Sequence, residues 1–147
     1  MEKFALITAV ERKTRYTVAV KSTDRSNRQI TKRLITRFRE MPCRIRTLTA
    51  DNGIEFSGHK KIGKALACDF FFALPHHPWE RGTNENTNGL LRQYFPKGKS
   101  LKGVTAKRIR QAVDSLNNRP RKCLSFATPN ECFQKQIEES EKLHLNF

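Results

Sequence analysis

Thr47-Leu48-Thr49-Ala50-Asp51-Asn52-Gly53-Ile54-Glu55-Phe56 is the stretch on which the fold turns. Ile45 to Thr49 alternates apolar and polar residues, the period of a strand with one face buried. Asp51-Asn52-Gly53 then reads as a turn by composition. A carboxylate directly after a strand sits where open α/β sheets gather their ligands, beyond the carboxyl ends of the strands. Asp51 is therefore a candidate site residue, although an Asp-Asn-Gly turn also needs no function to explain it.

The flanking sequence supplies the rest of an α/β plan. Phe4 to Val10 and Tyr16 to Val20 are apolar runs joined by the polar Glu11-Arg12-Lys13-Thr14, which reads as a β-hairpin. Ser22 to Asn27 is a polar break with candidate helix caps. Ile30, Leu34, Ile35 and Phe38 recur at helical spacing, Lys32, Arg33, Arg37 and Arg39 occupy the other faces, and Pro42 ends the helix. Beyond the turn, Ile62, Ala65 and Leu66 predict a short helix. The run Phe70-Phe71-Phe72-Ala73-Leu74 then predicts a strand buried on both faces. Pro75 to Gly82 is a loop. Thr83 caps a helix carrying Leu90, Leu91 and Tyr94, which Pro96-Lys97-Gly98 breaks. Ile109, Ala112, Val113 and Leu116 mark another amphipathic helix closed before Pro120. Thr128-Pro129 starts a last helix reaching about Gln136. The predicted sheet is mixed: an antiparallel hairpin, then parallel strands joined by helices. Residues 1–137 are expected to form one core and residues 138–147 a charged, frayed tail.

Composition limits the functions open to such a fold. The 147 residues carry 29 Lys+Arg against 14 Asp+Glu, a formal net charge of +15. That length suits one domain. No apolar run reaches the roughly 18 residues of a membrane span, and the start is too short in apolar residues for a signal peptide. A cytoplasmic protein is expected. An excess of positive charge spread along the chain points to a polyanionic partner, nucleic acid rather than a membrane surface, with a merely basic surface as the plainer reading. Cys43, Cys68, Cys123 and Cys132 form no C-x-x-C pair, so neither a zinc site nor a redox motif is expected; they read as reduced thiols filling apolar space.

Glu85 lies in the first turn of the Thr83 helix. A carboxylate at a strand end and one at a helix start can converge on one divalent cation, and Mg²⁺ takes one or two carboxylates with phosphate oxygens and water. Glu85 can equally do no more than favour the positive end of a helix dipole.

Longer motifs favour the metal reading. The Thr47–Phe56 stretch resembles the second-Asp segment of DDE transposases and retroviral-type integrases. The stretch from Pro78-Trp79-Glu80-Arg81-Gly82-Thr83-Asn84-Glu85 through Asn86-Thr87-Asn88-Gly89-Leu90-Leu91-Arg92 to Phe95-Pro96-Lys97-Gly98 resembles the third-acid segment of the insertion-sequence-thirty family. Val10-Glu11-Arg12-Lys13-Thr14-Arg15-Tyr16 and Leu116-Asn117-Asn118-Arg119-Pro120-Arg121-Lys122 are similar to the same branch. The resemblance extends roughly from Leu6 to Phe133.

It implies an RNase H-like core, a mixed sheet flanked by helices, in which two Asp and one Glu hold two Mg²⁺ or Mn²⁺ ions. Such cores cut transposon ends and join the freed 3′-hydroxyl to target DNA. Asp51 matches the second Asp and Glu85 the Glu; Asn52, Gly53 and Asn84 match neighbours that shape the site. The family's first Asp lies on a strand upstream of the Val10-Glu11-Arg12-Lys13 segment, so this chain is expected to lack the core's first strand and its acid, and to expose an edge on the Phe4–Val10 strand. Glu2 and Glu11 do not match that Asp. With Asp51 and Glu85 alone, one weakly held ion is expected rather than a working pair, and the chain is expected to be inactive by itself. The alternative is a non-catalytic DNA-binding or interaction module. It would keep the fold and form mixed oligomers with intact transposase. Homo-oligomers are also open, and the bacterial nucleoid is the implied location.

Around the acids, Trp79 and Arg81 are candidates for stacking on DNA and pairing with phosphate, with loop packing open for Trp79. Arg92, Lys97, Lys99 and Lys102 follow the Glu85 helix closely and are phosphate candidates, or else a solvated basic face. His76 and His77 read as loop histidines facing DNA or solvent, since nothing completes a histidine-type zinc set. Lys107, Arg108 and Arg110 read as the solvated side of the Ile109 helix.

Overall fold

The computed structural model describes residues 4–22, 27–40, 47–50, 58–72, 87, 89–96 and 98–145. Four strands form one mixed sheet: β1 (Ala5–Glu11), β2 (Thr17–Ser22), β3 (Thr47–Ala50) and β4 (Asp69–Phe72), in the spatial order β2-β1-β3-β4. β1 and β2 are antiparallel from Ala5↔Ser22 to Val10↔Thr17. β3 and β4 are parallel from Thr47↔Asp69 to Ala50↔Phe72. The helices are α1 (Asn27–Arg39), α2 (His59–Leu66), α3 (89–94), α4 (Ala106–Asn117) and α5 (Pro129–Leu145).

The hairpin turns as its sequence predicts. Glu11 N–H donates to Tyr16 O and Arg15 N–H to Glu11 O, both at 2.8 Å. Arg15 takes a left-handed φ of 62° to bring the chain back. Where the expected hairpin meets the rest of the sheet, one correction is needed. The open side of β1 is not simply an edge: it pairs antiparallel with β3 at Val10↔Thr49 and Glu11↔Leu48. Among the described residues, Ala5 to Ala9 have no strand partner on that side. The edge is thus half covered, because β3 crosses only the carboxyl end of β1.

Period-two alternation sends the strand side chains to opposite faces. Ile7, Ala9 and Val18 join Ile30, Leu34 and Phe38 of α1, Ile62 of α2, and Phe133 and Ile137 of α5 in one core. Leu6 and Ala19 pack on the other side against Leu91 of α3 and Ile109, Val113 and Leu116 of α4. Helices therefore cover both faces, and the core sits on either side of the sheet. Tyr16 stacks on Phe133 with ring centroids 4.3 Å apart, which docks α5 onto the end of the hairpin.

Local signals account for the helix ends. Thr105 Oγ1 accepts the Arg108 N–H at 3.1 Å and caps α4. Thr128 Oγ1 accepts the Glu131 N–H at 3.1 Å while Glu131 Oε2 accepts the Thr128 N–H at 3.3 Å. This reciprocal capping box, with Pro129 in the first turn, starts α5. α2 closes on a left-handed Ala67, and Cys68 N–H donates back to Gly63 O at 3.0 Å. A Cβ on residue 63 would lie 3.0 Å from Cys68 O, so glycine is what lets the chain turn sharply into β4.

α5 is longer than its apolar period predicts. It continues past Gln136 to Leu145. Glu138 and Lys142 stand four residues apart in the favourable order, and Ser140 Oγ bonds back to Gln136 O at 2.9 Å. Strong helix formers extend a helix without any buried face to announce it. Before α5, the 3-10 turn Lys122–Leu124 leads into Ser125 and Phe126, at φ 53° and 67°. A left-handed L-residue costs about 1–2 kcal/mol. Ser125→Gly is therefore expected to stabilise the fold by about 1 kcal/mol and to raise Tm by a few degrees in a thermal melt. An unchanged or lower Tm would show that this loop holds no such strain.

Candidate functional site

Of the residues singled out for chemistry, Asp51, Asn52, Gly53, His76, His77, Trp79, Arg81, Asn84, Glu85 and Lys97 lie outside the described residues. What the structure describes is the frame that carries them. β3 runs between β1 and β4 and ends at Ala50, so Asp51 leaves the carboxyl end of an interior strand. Thr87 is buried, and α3 follows it with Leu91 3% exposed against Ile109, Val113 and Leu116. The segment behind Glu85 is thereby fixed to the face of the sheet that α4 covers. Among the described residues, no three His, Cys, Asp or Glu side chains come close enough together to hold a metal ion.

The described phosphate candidates are all exposed: Arg92 on α3, and Lys99 and Lys102 in the loop beyond it. That loop is held from the other side of the sheet edge. Lys21 Nζ donates to Lys102 O at 3.1 Å and Val104 O at 3.0 Å, and lies 4.5 Å from the centre of the Phe4 ring. Lys102 N–H donates to Ser100 Oγ at 3.0 Å. The Lys102 backbone is thus tied down while its side chain is exposed.

Three residues matter more than their sequence context reveals. Glu11 is 1% exposed. Its carboxyl accepts from Thr14 N–H at 2.8 Å, Thr14 Oγ1 at 2.5 Å and Thr47 Oγ1 at 3.3 Å, locking the hairpin turn to β3. Asn117, also 1% exposed, accepts the Thr17 N–H at 2.9 Å and donates to Thr17 O at 3.0 Å. Its amide thus acts as a one-residue strand partner for the edge strand β2. Arg108 is exposed, as expected, and its guanidinium also lies 5.9 Å from the centres of both the Tyr94 and Phe95 rings. It joins the start of α4 to the end of α3. No spacing rule marks these pairings, since each depends on residues distant in sequence.

Two smaller points complete the frame. Cys68 and Cys132 are half-buried free thiols as expected, but Cys123 is an exposed free thiol rather than an apolar filler. Arg121 is buried, with Nη2 donating to Leu116 O at 3.3 Å. Burial, with the Arg119 charge beside it, holds its pKa below the ordinary guanidinium value, which Cys123 partly offsets.

The frame has counterparts among known proteins. No family model matches the chain. It is 44% identical over 138 residues to the transposase of insertion sequence element IS4351 from Bacteroides fragilis, matching 94% of this chain and 42% of that protein. It is 39% identical over 133 residues to transposase InsI of IS30A from Escherichia coli K12, matching 90% of this chain and 35% of that one. The relatives that the segment matches at this level are transposases of the insertion-sequence-thirty family. The chain spans about two fifths of the length of these relatives. Its fold is that of the integrase catalytic core, RNase H-like in plan. The catalytic core of BIV integrase superposes with a TM-score of 0.66 at 19% identity, covering 95% of this chain and 91% of that one. A simian T-cell lymphotropic virus intasome, solved in complex with a PP2A regulatory subunit, gives a TM-score of 0.59 over 78% of this chain and 42% of that one. At 19% and 18% identity both likenesses speak to fold alone. Among the described residues, no helix is long and apolar enough to cross a membrane.

Proposed function

We propose that this segment is the catalytic core of a DNA transposase, in which Asp51 and Glu85 are two of the carboxylates that hold Mg²⁺ or Mn²⁺. The observation that carries the reading is the exit of Asp51 from the carboxyl end of β3, an interior strand of an integrase-type sheet. Carboxylates in that place suit hard divalent ions, which also take phosphate oxygens. Held by Asp51 and Glu85, such an ion would supply Lewis-acid assistance to displacement at phosphorus. Asn52, Gly53 and Asn84 would shape the site. Trp79, Arg81, Arg92, Lys97, Lys99 and Lys102 would hold the transposon end and target DNA by stacking and phosphate pairing. The place of action is the cytoplasm, at the nucleoid.

Taken alone, the 147 residues bring two acids to a three-acid site. The isolated segment is therefore expected to bind DNA without cutting it, and to join intact transposase in mixed oligomers. Nicking and strand-transfer assays with Mg²⁺ or Mn²⁺ test this directly. Retarded DNA with no cleaved or joined product is the expected result. Clear activity that Asp51→Asn abolishes would overturn the incomplete site; no affinity for DNA would overturn the whole reading.

A further inference from the structure

A groove of about 1060 Å³ runs along the outer edge of β2 between α1 and α4, well separated in sequence from Asp51 and Glu85. Lys21, Arg28, Lys32, Arg33, Arg37 and Arg110 line it, against one carboxylate, Glu40. The cations on α1 stand at 28, 32, 33 and 37, pairs one turn apart (28 with 32, 33 with 37) on the half of the helix that does not carry the buried Ile30, Leu34 and Phe38. At 1.5 Å per residue these cations spread over about 14 Å along the helix, close to four nucleotide steps of a duplex strand.

The six cations divide into two sets. Lys21 is bound to the Lys102 and Val104 carbonyls, Arg33 donates to Lys21 O at 2.6 Å, and Arg37 lies 3.6 Å from Glu40. Lys21 and Arg33 brace the walls against the strand, and Arg37 is paired within its own helical segment. Arg28, Lys32 and Arg110 are exposed, and no partner for them is found among the described residues. Two of these heads stand on α1 and one on α4, on opposite walls. Three like charges facing one cleft repel each other, and the arrangement gains only when an anion lies between them.

We infer that this groove is a second docking site for duplex DNA, gripping the phosphate backbone with Arg28, Lys32 and Arg110. The inference rests on the reading of the segment as one that acts on DNA. It adds a surface on the far edge of the sheet from β3, able to hold a stretch of duplex other than the one at the acids. The rival explanation is that the cations only guard the β2 edge against pairing with another strand.

The test is fluorescence anisotropy of a labelled 30-base-pair duplex in EDTA, titrated at several KCl concentrations with the full chain and two variants. R28Q/K32Q/R110Q is expected to weaken binding about tenfold and to lower the log Kd against log[KCl] slope by nearly three, about 0.9 per lost phosphate contact. R92Q/K99Q/K102Q is expected to lower the slope separately, and the two effects to add. Should the triple variant lose its circular dichroism spectrum, R28Q and R110Q singly are expected to lower the slope by about one each. Wild-type binding with an unchanged slope in the groove variant would overturn this inference and leave the proposed function standing. So would self-association of the variant with unchanged DNA affinity, or a preference of the groove for duplex RNA. No duplex binding by the wild type would instead defeat the proposed function.

Discussion

Asn117→Ala is expected to cost about 3 kcal/mol of folding stability. The amide sits 1% exposed at the end of α4 and makes both hydrogen bonds that a neighbouring strand would make with Thr17. Thr17 is itself 1% exposed, so water does not readily replace the lost partner. Leaving a buried N–H and a buried C=O unpaired costs about 1–3 kcal/mol each, and some relaxation reduces the sum. Urea unfolding followed by circular dichroism measures it: the midpoint should fall with little change in slope. Asn117→Asp keeps an acceptor for the Thr17 N–H but sets a carboxylate against the Thr17 carbonyl, and should be at least as damaging. A loss below about 1 kcal/mol in the alanine variant would mean that β2 does not depend on this tie.

Glu11→Ala is expected to be nearly as severe, about 3 kcal/mol. Truncation strands Thr14 N–H, Thr14 Oγ1 and Thr47 Oγ1, and leaves a void beneath the hairpin. Glu11→Gln separates the hydrogen bonds from the void. Its carbonyl oxygen can still accept from Thr14 while its amide donates to Thr47, so the loss should shrink to about 1 kcal/mol. Equal losses in the two variants would refute the hydrogen-bonding account. The consequence reaches the candidate site, because Glu11 pairs with Leu48 on the strand that ends just before Asp51. A loosened tie should therefore disturb β3 before it disturbs the helices.

The two ties also show why parts of the molecule are legible in sequence and others are not. Ile30, Leu34 and Phe38 announce α1 because helix period and burial coincide within one segment. The same holds for Ile109, Ala112, Val113 and Leu116 on α4, and for the alternation of Ile7 and Ala9 on β1. In the sequence Asn117 is only a residue near the Pro120 that closes the helix, and Glu11 only part of the polar link in the hairpin. Each is defined by a partner far along the chain: Thr17, a hundred residues before Asn117, and Thr47 for Glu11. The reach of α5 to Leu145 was hidden for the opposite reason, since its last turns have no buried stripe to set a period.

From sequence alone came the order of strands and helices, the candidate acids Asp51 and Glu85, and a positive charge in search of phosphate. All of these are properties of short segments: side-chain period, turn chemistry, motif spacing and net charge. Only the tertiary structure decided that β1 meets β3 through two residue pairs, that buried Glu11 and Asn117 bind the sheet together, and that cations from α1 and α4 face one another across the β2 edge. Those are matters of which distant surfaces come together, and no local period encodes them.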